Sequence, residues 1–209
     1  FRAAELEEGD AVLWMNIGIV QAKLGKIEEA VRSLGRSIAL DSTNKRAWLN
    51  QAALLEKLGE DEEALRCFDT VLANEPQDKF AWSGKGRILM RMDKLDQAKR
   101  ALDRALEIDP ALPSAQESSA VLAQRLKERD ISIYAAKVLE FEYRQNRRVT
   151  REEAFKECGL PFSSLDAVTK YLQTKEEVDI DSMDDGRFQA YESLSRDVLL
   201  ATLGNPNYT

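Results

Sequence analysis

The strings AVLWMNIG at residues 11–18, KRAWLNQA at 45–52 and KFAWSGKG at 79–86 decide the fold, because they are one pattern written three times at a spacing of 34 residues. Trp14, Trp48 and Trp82 head the columns. Four residues later stand Gly18, Ala52 and Gly86, small enough for two helices to approach closely. A turn column follows with Gly25, Gly59 and Asp93, residue types that end a helix and tolerate left-handed backbone. Then come Ala30, Ala64 and Ala98, followed by bulky apolar pairs four residues apart: Leu34 and Ile38, Phe68 and Leu72, Leu102 and Leu106. Pro76 and Pro110 close the second and third units, where proline cannot continue a helix, and Ser42 stands in the first. A fixed period of this length predicts a solenoid. Each unit is a helix pair that cannot bury its apolar face alone, so neighbours must stack.

These columns resemble the tetratricopeptide repeat family, over units 11–44, 45–78 and 79–112. Residues 1–10 read as the end of a preceding repeat: Phe1 falls inside a helix that began earlier, so the sequence reads as a piece of a longer protein with more repeats upstream. The exposed end of that cut repeat is a place where two copies would pair. The fold class implied is all-α, an α–α solenoid of helix pairs.

The resemblance also implies that the first helix of each unit lines a concave groove holding an extended peptide. Its second, fifth, sixth, ninth, twelfth and thirteenth positions face the groove. In the first unit these are Val12, Met15, Asn16, Ile19, Ala22 and Lys23; in the second, Arg46, Leu49, Asn50, Ala53, Glu56 and Lys57. The third unit supplies Phe80, Ser83, Gly84, Arg87, Met90 and Arg91. The candidate binding residues are Met15, Asn16, Ile19, Lys23, Arg46, Asn50, Lys57, Phe80, Arg87 and Arg91. Asn16 and Asn50 recur one unit apart and can donate and accept at once, which suits a peptide backbone. Five cations face one carboxylate, Glu56, so an acidic segment is the natural guest. The chaperone-tail subtype of the family clamps a terminal carboxylate with lysine, arginine and asparagine. Met15, Ile19, Phe80 and Gly84 occupy four of those places here and only Asn50 matches, so that subtype is disfavoured.

The 209 residues carry a net charge of −7, which disfavours general affinity for nucleic acid or anionic membranes. No apolar run is long enough to span a bilayer. Cys67 and Cys158 lie far apart with no pairing pattern around them and read as reduced thiols in a cytoplasmic protein. The absence of histidine removes Ser-His-Asp and Cys-His nucleophile systems, HExxH zinc sites and imidazole bases together. The stretch Ser83 to Arg87, SGKGR, lacks the spacing of a phosphate-binding loop, and Gly86 already belongs to a repeat column. No cofactor, metal or catalytic residue is assigned.

Pro113 opens a capping helix, 113–129, and the period ends at Asp130, where a C-terminal domain, 130–209, is placed. Ile133, Val138, Leu139 and Phe141 mark a helix ending near Asn146. Thr150 with Glu153 forms a capping box, and Gly159 with Pro161 stops a second helix. Phe162 to Gln173 reads as a third, with Leu165, Val168 and Leu172 inward. Val178 and Ile180, Asp185-Gly186, and Phe188 and Ala190 suggest a hairpin, and Ser195 to Leu203 a further helix. Three helices and a hairpin resemble a winged-helix domain; an all-helical tail is the competing reading. The helix that would read DNA carries one cation, Lys170, and the acidic stretch from Glu176 to Asp185 has the wrong sign for phosphates. Arg144, Arg147, Arg148 and Arg151 are the one cluster suited to a backbone contact, and the favoured reading is that they complement a helix C-terminus. Asp181, Asp185 and Glu192 match part of a calcium loop, but Met183 stands where a ligand is required.

The expectation is thus a non-catalytic adaptor that binds an extended, acidic peptide in its groove, with a protein or peptide partner, no membrane and nucleic acid disfavoured. The alternative is a transcription regulator with a sensing solenoid and a DNA-binding winged helix.

Overall fold

The computed structural model describes residues 9–145 and 150–176. Among them every element is helical: α1 (Ala11–Lys23), α2 (Ile27–Leu40), α3 (Lys45–Leu58), α4 (Asp61–Asn74), α5 (Lys79–Arg91), α6 (Leu95–Ile108), α7 (Pro113–Gln145), α8 (Arg151–Glu157), a 3-10 turn (Phe162–Ser164) and α9 (Leu165–Glu176). The chain divides into two compact units, Phe1–Ala123 and Gln124–Thr209.

In the first unit the 34-residue period is visible down to single hydrogen bonds. Asp10, Asn44 and Asp78 cap α1, α3 and α5, their side chains accepting from Val12 N–H at 2.8 Å, Ala47 N–H at 3.2 Å and Ala81 N–H at 2.8 Å. Each such cap is worth about 1 kcal/mol against alanine. The turn column behaves as expected: Gly25, Gly59 and Asp93 have φ of 78°, 82° and 58°. The second helices lack side-chain caps and carry acidic residues in their first turns instead, which the positive end of the helix dipole favours.

The small and bulky columns pack directly against each other. A Cβ on Gly18 would stand 2.8 Å from Leu34 Cγ, and one on Gly86 2.6 Å from Leu102 Cγ. Ala52 and Phe68 occupy the same places in the second unit, inside a cluster with Leu55, Ala64, Val71 and Ile88. Burial at this density is what holds neighbouring repeats together. The tryptophans are half-buried, and two of them have their polar edge satisfied. Trp48 Nε1 donates to Ser42 O at 2.9 Å and Trp82 Nε1 to Pro76 O at 2.8 Å. One period further on, Gln116 Nε2 donates to Pro110 O at 2.7 Å, so the start of α7 obeys the same rule with a different side chain.

The helix that opens at Pro113 does not stop near Arg129. Residues 113–145 form one α-helix, running through the boundary expected at Asp130. Nothing between Ser114 and Gln145 is glycine or proline, so loss of the repeat period changed which face is buried without breaking the backbone.

In the second unit Ala135, Val138 and Leu139 of α7, Ala154 and Phe155 of α8, Leu160, and Val168 and Leu172 of α9 form one buried cluster. Thr150 caps α8 by accepting from Glu153 N–H at 3.1 Å, and Gly159, at φ 63°, turns the chain after it. The third helix expected from Phe162 begins as a 3-10 turn and becomes α-helical at Leu165. The hairpin, the last helix and the calcium-loop residues proposed from sequence lie outside the described residues, and the winged-helix resemblance is not shown.

Candidate partner-binding groove

The groove candidates lie on α1, α3 and α5, and the structure sorts them into three kinds. Some are core. Met15 is 5% exposed within the cluster of Ala30, Leu34, Ile38 and Leu54. Ser83, Gly84 and Met90 are likewise buried. Gly84 sits where a Cβ would meet the Phe68 ring at 2.3 Å, and Ser83 Oγ shares a hydrogen bond with Ser114 Oγ at 3.0 Å. Met15 and Ser83 thus face the seam between neighbouring repeats, and Met15 is a packing residue.

A second kind is committed to structure through ion pairs. Arg87 Nε and Nη2 each donate at 2.6 Å to the Glu56 carboxylate, one on either oxygen. This bidentate bond is the first cause of an upward shift in the Arg87 pKa, so its charge is permanent. Arg91 Nη1 donates at 2.6 Å to the backbone carbonyl of Glu56, in the last turn of α3, and Nη2 lies 3.3 Å from Asp61. Two of the five expected cations therefore tie the third repeat to the second.

The third kind is open to a guest. Asn16, Lys23, Arg46, Asn50 and Lys57 have no side-chain partner among the described residues. Val12 and Phe80 are 53% and 56% exposed, while Ile19, Leu49 and Asn50 are half-buried beside them. The positive character of the face rests on Lys23, Arg46 and Lys57.

One contribution was missed from sequence. The start of α7 continues the register of α1, α3 and α5, placing exposed Glu117 and the 56% exposed Val121 where those helices present groove residues. Gln116 in the tryptophan column is the signal that would have revealed it. Beside the groove, a cleft of about 600 Å³ opens between the beginnings of α3 and α5, with Arg46, Leu49 and Phe80 in its lining.

Among the described residues no group of three metal-ligating side chains converges. Cys67 is buried, and burial pushes its thiol up to about 11, far from a nucleophile's range. No described helix is long and apolar enough to cross a membrane.

Helix pairs at a 34-residue period and a left-handed turn in each define a tetratricopeptide-repeat segment. Residues 21–112 belong to that family: tetratricopeptide repeat models match residues 21–85 and 80–112. Solved structures agree in fold. The first TPR domain of Spaghetti (RPAP3), bound to the HSP90 peptide SRMEEVD, is 24% identical with a TM-score of 0.54, the alignment covering 57% of this chain and 94% of that one. The second TPR domain of human RPAP3, in complex with the HSP70 peptide SGPTIEEVD, is 24% identical with a TM-score of 0.52, covering 54% and 94%. The Sgt2 TPR domain from Aspergillus fumigatus is 17% identical with a TM-score of 0.54, covering 56% and 80%. No curated protein matches the sequence.

Proposed function

We propose that this chain is a non-catalytic, cytoplasmic interaction scaffold whose repeats receive an extended, acidic peptide segment of a partner protein. The observation that carries the reading is the set of unpartnered groups on one face: Asn16 and Asn50 one repeat apart, flanked by Lys23, Arg46 and Lys57. Asparagine amides can bracket a peptide backbone, and the cations attract carboxylates from a distance. Two structurally similar TPR domains carry acidic peptides, SRMEEVD and SGPTIEEVD. Cys67 and Cys158 are not joined in a disulfide, which fits a reducing compartment.

The test is a quantitative pull-down from the native extract, comparing the chain with its Asn50→Ala, Lys57→Glu double variant. Neither side chain takes part in a described structural bond, so the variant keeps the fold. Partners retained by the first and lost by the second support the groove. The same proteins bound equally to both would refute it.

A further inference from the structure

We propose that the joint between the first and second repeats is a hinge, at which the pair α1–α2 opens as one unit while the second and third repeats stay fastened to each other.

Repeat arrays are held by two terms, the packing inside each unit and the interface between neighbours. The two joints share an apolar part. Ala47 and Leu54 of α3 enter the cluster of the first repeat, and Ala81 and Ile88 of α5 enter that of the second. At both joints the tryptophan of the later repeat donates to the chain end of the earlier one. Charge separates them. Three ion pairs run from the third repeat to the second: Arg87 to Glu56, bidentate at 2.6 Å, Arg91 to Asp61 at 3.3 Å, and Lys85 to Asp69. One repeat earlier the same six places hold Ala53 and Ala22, Lys57 and Ile27, and Gln51 and Gly35. No pair keeps both its members. Among the described residues no ion pair joins the first repeat to the second.

Packing and burial point the same way. The Phe68 ring of the second repeat covers the bare backbone of Gly84, where a Cβ would stand 2.3 Å from it, while Leu34 and Asn50 hold those places at the first joint. A buried ring removes more apolar surface from water than a leucine does. Glu56 and Asp61 are half-buried, so their pairs with arginine are screened less than pairs on open surface. The first repeat is meanwhile firm within itself. Leu34 lies against Gly18, Ser33 Oγ donates to Gln21 Oε1 at 2.6 Å, and Ser37 Oγ donates to Ala11 O at 2.6 Å. α1 and α2 therefore move together, and the seam that yields is the one toward α3. Asn16 and Lys23 stand on one side of it and Asn50 and Lys57 on the other, so the hinge sets the spacing between the open groups of the candidate groove.

Hydrogen–deuterium exchange of the whole chain, read by mass spectrometry, tests the hinge. Segments from 11–40 should share one protection factor, about tenfold below that of segments from 45–74. Glu56→Gln loosens the second repeat from the third and should bring 45–74 to within about threefold of 11–40. The Ala22→Glu, Ala53→Arg double variant supplies the missing clamp. It should raise protection of 11–40 about fivefold, more than the product of its two single variants, as coupled partners do. Equal protection of the two repeats in the parent chain would overturn the hinge. So would a difference that Glu56→Gln leaves unchanged, because its source would then be the outer face of the first repeat and not the joint. A double variant that gains no more than its singles combined would overturn the missing clamp as the cause.

Discussion

Lys57 and Arg91 occupy the same place in consecutive repeats, one residue from the end of α3 and at the end of α5, and their commitments are opposite. Arg91 reaches back to the preceding repeat and donates to the carbonyl of Glu56, while Lys57 reaches nothing among the described residues. Arg87 and Ala53 repeat the contrast one turn earlier, with Arg87 held by Glu56 and Ala53 exposed and too short to reach across. Shared register therefore fixes where a side chain starts, not what it does. A planar guanidinium on a long stem becomes part of the joint between repeats, and an ammonium at the same place remains available to a guest. One end of the candidate groove is thus tied up in cohesion between repeats, while the cation at the other makes no bond among the described residues.

The sharpest way to break this division is to enlarge a groove-register position that the structure turns inward. Gly84→Val places a branched side chain against the Phe68 ring, and we expect a loss of about 3 kcal/mol, read as an early thermal transition, since overpacking a fitted seam is strongly unfavourable. Next is Arg87→Glu, which removes a bidentate pair and sets two carboxylates together; denaturant titration should show about 2 kcal/mol lost, whatever happens to binding. Lys57→Glu should do the reverse, changing stability by no more than about 0.5 kcal/mol while weakening a selected acidic peptide about tenfold in anisotropy. The smallest effect is expected of Arg91→Lys, about 0.5 kcal/mol in chemical denaturation, because the ammonium cannot serve the carbonyl and Asp61 at once. If Arg87→Glu left stability intact, or Lys57→Glu destroyed it, the distinction between cohesive and capturing residues would fail.

Most of the first unit was legible in the sequence because its physics is periodic. Tryptophan, small, turn and bulky columns each repeat one contact, so three copies distinguish signal from chance. Asp10, Asn44 and Asp78 repeat at the same interval and would have marked every first helix, yet they were overlooked beside the larger residues. The groove was less legible. That Arg87 meets Glu56 depends on how closely neighbouring helices approach, although Lys45–Glu75 and Lys79–Asp109 show that pairing across about 30 residues recurs. Past Ala123 no period exists to average over. Val138, Leu139, Val168 and Leu172 were still found by helical spacing, but the continuity of α7 was not, because the change of buried face at Asp130 looks like a boundary when no backbone is in view.

The contact between Phe68 and Gly84 carries a consequence for how such a chain can grow. Solenoids lengthen by duplicating a cassette, and residues 45–78 would seem a natural one. A second copy inserted before Lys79 would bring its own Asn50 to the place Gly84 now holds, and the Cβ of that asparagine would strike the Phe68 ring of the first copy. The first joint, built on Leu34, accepts asparagine; the second, built on phenylalanine, demands glycine. The repeats are alike in length but keyed at their edges, so their order is inherited as a unit, and any new module must arrive with both its bolt and its matching socket.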